Sequence, residues 1–129
     1  MKTFFSIFWR FLFLISILNY SDTTSIIANG GFNHVALPPE MISQEMVGNA
    51  FQSIGWSIVF ILSLRRNPLF APELCYFLGG MLFFDVQTTW TLDMPLPPGF
   101  LIWGTIVAGL HVLAGVYLAT RRAAAHQVA

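Results

Sequence analysis

Two ionisable side chains stand inside otherwise apolar stretches of this chain, and they have the greatest capacity for chemistry. Asp85 lies in Phe83-Phe84-Asp85-Val86-Gln87-Thr88-Thr89-Trp90. A carboxyl group at hydrocarbon depth costs roughly 2.5 to 3.5 kcal/mol to insert, so a retained one accepts a proton, binds a cation or hydrogen-bonds a neighbouring helix. Thr88 and Thr89 follow at i+3 and i+4, on the same face of a helix. His111 lies in Leu110-His111-Val112-Leu113, near the middle of another apolar stretch. An imidazole there could ligate a haem iron or another metal. A ligand set needs partners, however, and His34 and His126 both fall in polar segments. A lone membrane histidine is therefore read first as a packing or hydrogen-bonding residue. Measured from the midpoints of their segments, Asp85 and His111 differ by about 5 Å along the helix axis, or about one turn. A direct or water-bridged contact between them is within reach.

No nucleophile motif, glycine-rich phosphate loop or HExxH pattern accompanies these residues, so no catalytic residue is assigned and no enzyme is expected. Cys75 is the single cysteine and lacks CxxC or Cys/His spacing, so neither a metal site nor a disulfide is expected, and no cofactor is assigned.

The elements that hold these residues are hydrophobic helices. Of 129 residues 56% are hydrophobic and 9% charged, against about 25% charged in a soluble domain. That leaves too little polar surface to coat a soluble globule. A crossing needs about 20 apolar residues, and four such segments occupy most of the chain, at about 4–20, 39–64, 73–93 and 99–120. The expected fold is an all-α, integral membrane four-helix bundle forming one domain over residues 1–129. The net charge is zero and no dense basic run occurs, which excludes nucleic acid as a partner.

Each boundary has a chemical cause. The first segment contains Arg10, which splits its apolar run, and Ser25-Ile26-Ile27-Ala28 is a poor cleavage site, so a retained helix is favoured over a signal peptide. Arg10 is close enough to the segment's start to snorkel back to the head groups. Residues 21–38 lack periodicity, contain Asn29-Gly30-Gly31, and are predicted to form an outer loop. Pro38, Pro39 and Glu40 suit the entry to a second helix. Along it Glu45, Asn49, Gln52, Ser53 and Ser57 recur at spacings of three and four, a stripe that should face protein or water. Arg65-Arg66-Asn67-Pro68 ends that helix, Asp93 to Gly99 is a proline-rich link, and Ala123 to Ala129 is a short, frayed tail.

Charge sets the orientation. Lys2, Arg65-Arg66 and Arg121-Arg122 fall on one side of a four-crossing arrangement, which places both termini in the cytoplasm, the membrane being the inner or plasma membrane. Asp22, Glu40, Glu45 and Asp93 fall on the other side, and Glu73 is the exception. Gly104, Ala108, Gly115 and Ala119, with Gly79-Gly80 on the third helix, let backbones approach closely, inside the bundle or across a dimer. Trp56, Trp90 and Trp103 are read as lipid-facing or interfacial.

From Gly55 to Ala119 the chain resembles the small four-helix membrane proteins of the DoxX-like group. The likeness lies in Leu64-Arg65-Arg66-Asn67-Pro68, Phe77-Leu78-Gly79-Gly80, the proline-rich link and a last helix rich in small residues. Many relatives carry a basic residue soon after the glycine pair, where this chain reads Met81 to Asp85. The resemblance implies a four-helix bundle, in some members an accessory subunit of a quinone-linked oxidoreductase.

Three functions follow as expectations. The first is a non-catalytic or accessory membrane component, partnered by the lipid bilayer and by a homo-oligomer or larger complex. The second is a small proton- or cation-coupled transporter using Asp85, with Asn49 and Gln52 on its entry strip. The third is a membrane redox subunit associated with haem or quinone near His111.

Overall fold

The computed structural model describes residues 2–28, 31–32, 35–36, 39–91 and 98–127. They form α1 (Lys2–Ala28), a two-stranded antiparallel hairpin of β1 (Gly31–Phe32) and β2 (Val35–Ala36), α2 (Pro39–Ser63), α3 (Ala71–Thr91) and α4 (Pro98–Gln127). His34, Pro38, and Asp93 with most of the proline-rich link lie outside the described residues. So do the side chains of Glu40, Glu45, Thr89 and Trp90.

Two helices run further than their sequences suggested. α1 continues eight residues past Tyr20 because Ser21 to Ala28, though polar, contains neither glycine nor proline. The first breaker is Gly30. The hairpin then occupies part of the segment expected to be loop, pairing Gly31 with Ala36 and Phe32 with Val35. α4 likewise passes through the expected tail to Gln127, carried by Ala123-Ala124-Ala125, the residue type with the highest helix propensity.

Three of the four helices are long and apolar enough to cross a membrane: Thr3–Asp22 within α1, Ile42–Ser63 within α2 and Leu101–Gln127 within α4. α3 has the length, but Pro72, Glu73, Asp85 and Gln87 dilute its apolar character. Large apolar side chains cover the outside, including Phe84 at 70% exposure and Trp103 at 66%. So much exposed apolar surface suits lipid or protein contact rather than water.

The backbone gathers into two compact units, Met1–Ile61 and Leu62–Ala129. In the first, Phe13 and Trp56 are fully buried, with parallel rings 5.8 Å apart. Trp56 therefore departs from the lipid-facing position expected of it. Sequence shows that an aromatic residue sits in an apolar run, but not that Phe13 stacks on it.

In the second unit α3 and α4 pack antiparallel. Their buried stripes, Cys75, Leu78, Gly79 and Val86 on one side and Ala108, His111, Ala114, Gly115 and Leu118 on the other, recur at spacings of three, four and seven. Glycine permits this approach at three points. A Cβ on Gly104 would lie 2.6 Å from a Val86 methyl, one on Gly115 2.6 Å from the Tyr76 ring, and one on Gly79 3.3 Å from the Ala108 carbonyl oxygen. Gly80 and Gly109 differ, for a Cβ there meets nothing within 4 Å.

This partition is testable by denaturant titration of detergent-solubilised protein followed by circular dichroism. Gly104→Ala should cost about 1 to 3 kcal/mol, because Val86 is β-branched and cannot swing its methyl away cheaply. Gly80→Ala should be neutral or stabilising by up to about 1 kcal/mol through helix propensity. Equal loss in both variants would show that the α3–α4 packing has been assigned incorrectly.

Candidate functional site

Asp85 and His111 occupy different surroundings. His111 is fully buried on the packed stripe of α4, seven residues before Leu118 and four before Gly115. Its Cβ is one of the three atoms that crowd Gly79. Asp85 is exposed on the outer side of α3, where it lines a shallow hollow with Tyr76, Phe77, Gly80, Met81 and Phe84.

The packing register sets the interval between them. Val86 lies against Gly104, and Gly79 against Ala108, His111 and Val112. Asp85 is thus level with about residue 105 of α4, and the six residues on to His111 span about 9 Å at 1.5 Å each. That is longer than the single turn read from segment midpoints, and it joins an exposed group to a buried one. The sequence carried a signal for this: His111 falls on the same three-and-four spacing as Ala108 and Gly115. Thr88 is half-buried three residues beyond Asp85.

The polar stripe of α2 is largely used in packing within the first unit. Gln52 is buried, and its Oε1 accepts a hydrogen bond from Trp56 Nε1 at 3.0 Å. The hydroxyls of Ser53 and Ser21 lie 2.8 Å apart and link α2 to α1. Asn49, one turn before Ser53, is half-buried. These residues fix the tryptophan and hold the hairpin of helices together.

The densest polar cluster of the second unit lies at the other end of α4, where the sequence showed only topology-setting charge. Arg121 donates from Nη1 to the Ser63 carbonyl and from Nη2 to the Arg65 carbonyl, each at 2.8 Å. It caps α2 where the helix dipole is negative and terminal carbonyls lack intrahelical partners. Its guanidinium also lies 5.9 Å from the centre of the Tyr117 ring. Arg122 donates to the Leu69 carbonyl at 2.8 Å and grips Glu73 through two bonds of 2.9 and 2.7 Å.

The turn held in this way contains Leu69 at φ 50°, a left-handed conformation that strains a residue with a Cβ. Asn67 Oδ1 accepts from the Leu69 amide at 3.1 Å and Arg122 takes its carbonyl, so the strained residue is fixed from both sides. Glu73, the acidic residue on the basic side, is accounted for by Arg122. That guanidinium holds the Glu73 carboxyl below its ordinary value of 4.5.

Among the described residues no group of three or more His, Cys, Asp or Glu side chains could hold a metal ion. Fold and polar residues together define a helical protein with three helices long and apolar enough to cross a membrane, among whose described residues the buried polar groups mainly serve packing. No family model, curated protein or solved structure matches the chain.

Two measurements test these assignments. Arg121→Ala should cost about 1 to 3 kcal/mol, the range for leaving a buried carbonyl unsatisfied, and Arg121→Lys should restore only part because one ammonium replaces a two-pronged donor. Full recovery with lysine would reduce the clamp to simple charge. For Glu73 the lowered folded-state value means that its contribution is complete above pH 4.5 and is lost as pH falls through that lower value. Glu73 is 57% exposed, so the effect is under about 1 kcal/mol and shrinks with salt. Glu73→Gln should lack this acid-range decline when both proteins are melted from pH 6 to pH 3.

Proposed function

We propose that the protein is a non-catalytic, four-pass membrane component that works by docking another membrane helix against the outer face of α3 and α4. The observation that carries this reading is the division among the glycines. Gly79, Gly104 and Gly115 are consumed in packing α3 on α4, whereas Gly80 and Gly109 have open space above them. These two line a shallow apolar groove with Gly79, Phe83, Thr105, Ala108 and Val112. In lipid, close backbone approach of this kind drives helix association. Asp85 lies beside the groove, and a carboxyl at that depth is better accommodated against protein than against acyl chains.

The same argument supports four crossings. α3 carries Asp85 and Gln87, which are better accommodated beside α4 and a partner than against lipid alone. Clustering of Arg65-Arg66 with Arg121-Arg122 supports cytoplasmic termini in an inner or plasma membrane. The likeness to DoxX-like accessory subunits points in the same direction.

A second reading, Asp85 as the proton- or cation-binding carboxyl of a small carrier, is favoured by its place in an outward hollow. His111, spent on the packed face, gives less support to a haem- or quinone-associated subunit.

Native mass spectrometry of protein extracted in mild detergent separates the first two readings. The wild type should run as a homo-oligomer or with a larger membrane partner. Gly80→Ile and Gly109→Ile should release it as single chains without loss of thermal stability. A wild type found only as single chains would sink the docking reading. Proton or cationic-dye transport in vesicles that disappears in Asp85→Asn would favour the carrier instead.

A further inference from the structure

The basic end of the second unit has more charge than its internal contacts use. Arg65 and Arg66 in the α2–α3 turn lie beside Arg121 and Arg122 of α4, which bond to the Arg65 and Leu69 carbonyls, and among the described residues Glu73 is the one carboxylate paired with an arginine there. Arg122 takes that carboxylate in two hydrogen bonds. Arg121 is fixed on neutral carbonyls, one of them belonging to Arg65, so its charge is held in place without being neutralised. Arg65 and Arg66 are exposed, and their guanidinium groups have no ion pair or hydrogen bond among the described residues. Like charges so collected repel unless an anion joins them.

The same turn also presents apolar side chains. Leu69 and Phe70 are exposed, on either side of the held Leu69 carbonyl and next to α4, a helix apolar enough to cross a membrane. A free phosphate would have no use for them. We propose that this turn is a binding site for an anionic phospholipid, whose phosphate sits among Arg65, Arg66 and Arg121 while its acyl chains lie along Leu69 and Phe70. The clamp has a second consequence on this view, because it holds the turn in the shape that the lipid meets. The proposal is independent of what occupies the outer face of α3 and α4.

The test uses the full chain in nanodiscs of phosphatidylcholine alone or with a fraction of phosphatidylglycerol, ejected into a native mass spectrometer to count retained lipids. The wild type should retain phosphatidylglycerol over phosphatidylcholine. Juxtamembrane arginines contribute on the order of five-fold each, so Arg65→Gln with Arg66→Gln should reduce this preference about twenty-five-fold. Leu69→Ser with Phe70→Ser should weaken retention of the same lipid while leaving the charge intact. Thermal unfolding in pure phosphatidylcholine should be unchanged in the arginine double variant, since those side chains make no ion pair or hydrogen bond among the described residues. Unchanged phosphatidylglycerol retention in that variant overturns the proposal. So does displacement of the lipid by millimolar inorganic phosphate, or selective capture of an acidic protein with no lipid preference.

Discussion

The hydrogen bonds from Arg121 to the Ser63 and Arg65 carbonyls hold the second unit in its arrangement. The last carbonyls of a helix lack an intrahelical donor, and one that is buried, as Ser63 is, is costly to leave without a partner. Drawing the donor from α4 satisfies the end of α2 and fixes the register of the turn. Arg122 then makes the left-handed Leu69 tolerable and reaches Glu73 at the start of α3. Two adjacent residues thereby tie together the end of α2, the turn, α3 and α4.

Glycine placement extends that constraint along the helices. With α3 started at the clamp, Gly115 meets Cys75 and Tyr76, Gly79 meets His111, and Gly104 meets Val86, in order away from the turn. Small residues at these levels allow contact where a side chain would intervene, and His111 fills one of the gaps between them. Gly80 and Gly109 break the pattern because they lie off the contact line. The α3–α4 contact does not require glycine at either position, and Asp85 lies on the same outward side of α3 as Gly80.

The first unit relies on a different device. Trp56 and Phe13 stack, and Gln52 satisfies the indole N–H that burial would otherwise strand. The polar stripe on α2 is thus compatible with an apolar medium where Gln52, Ser53 and Ser57 bond within the protein. Ser16 and Ser57 bond back to carbonyls four residues earlier, at Leu12 and Ser53, and so present little polarity outward.

Much of this was legible in residue order alone. Apolar run length marked the four helices, Arg65 to Pro68 marked the end of α2, and three-and-four spacing marked both the small-residue stripe and the polar face of α2, because these depend on local chemistry and helical period. The extension of α1 to Ala28 and of α4 to Gln127 was less visible, since a polar stretch without a breaker is compatible with either loop or helix. Contacts between distant residues were not legible. Whether Trp56 met lipid or Phe13, whether Asp85 and His111 lay one turn apart or about 9 Å apart, and whether Arg121 and Arg122 were a topology signal alone or also clamped a turn all depended on the register of helices separated by dozens of residues. Local sequence carries the period of a helix but not its partner's register, which packing sets once glycine and side-chain volume determine how closely two helices approach.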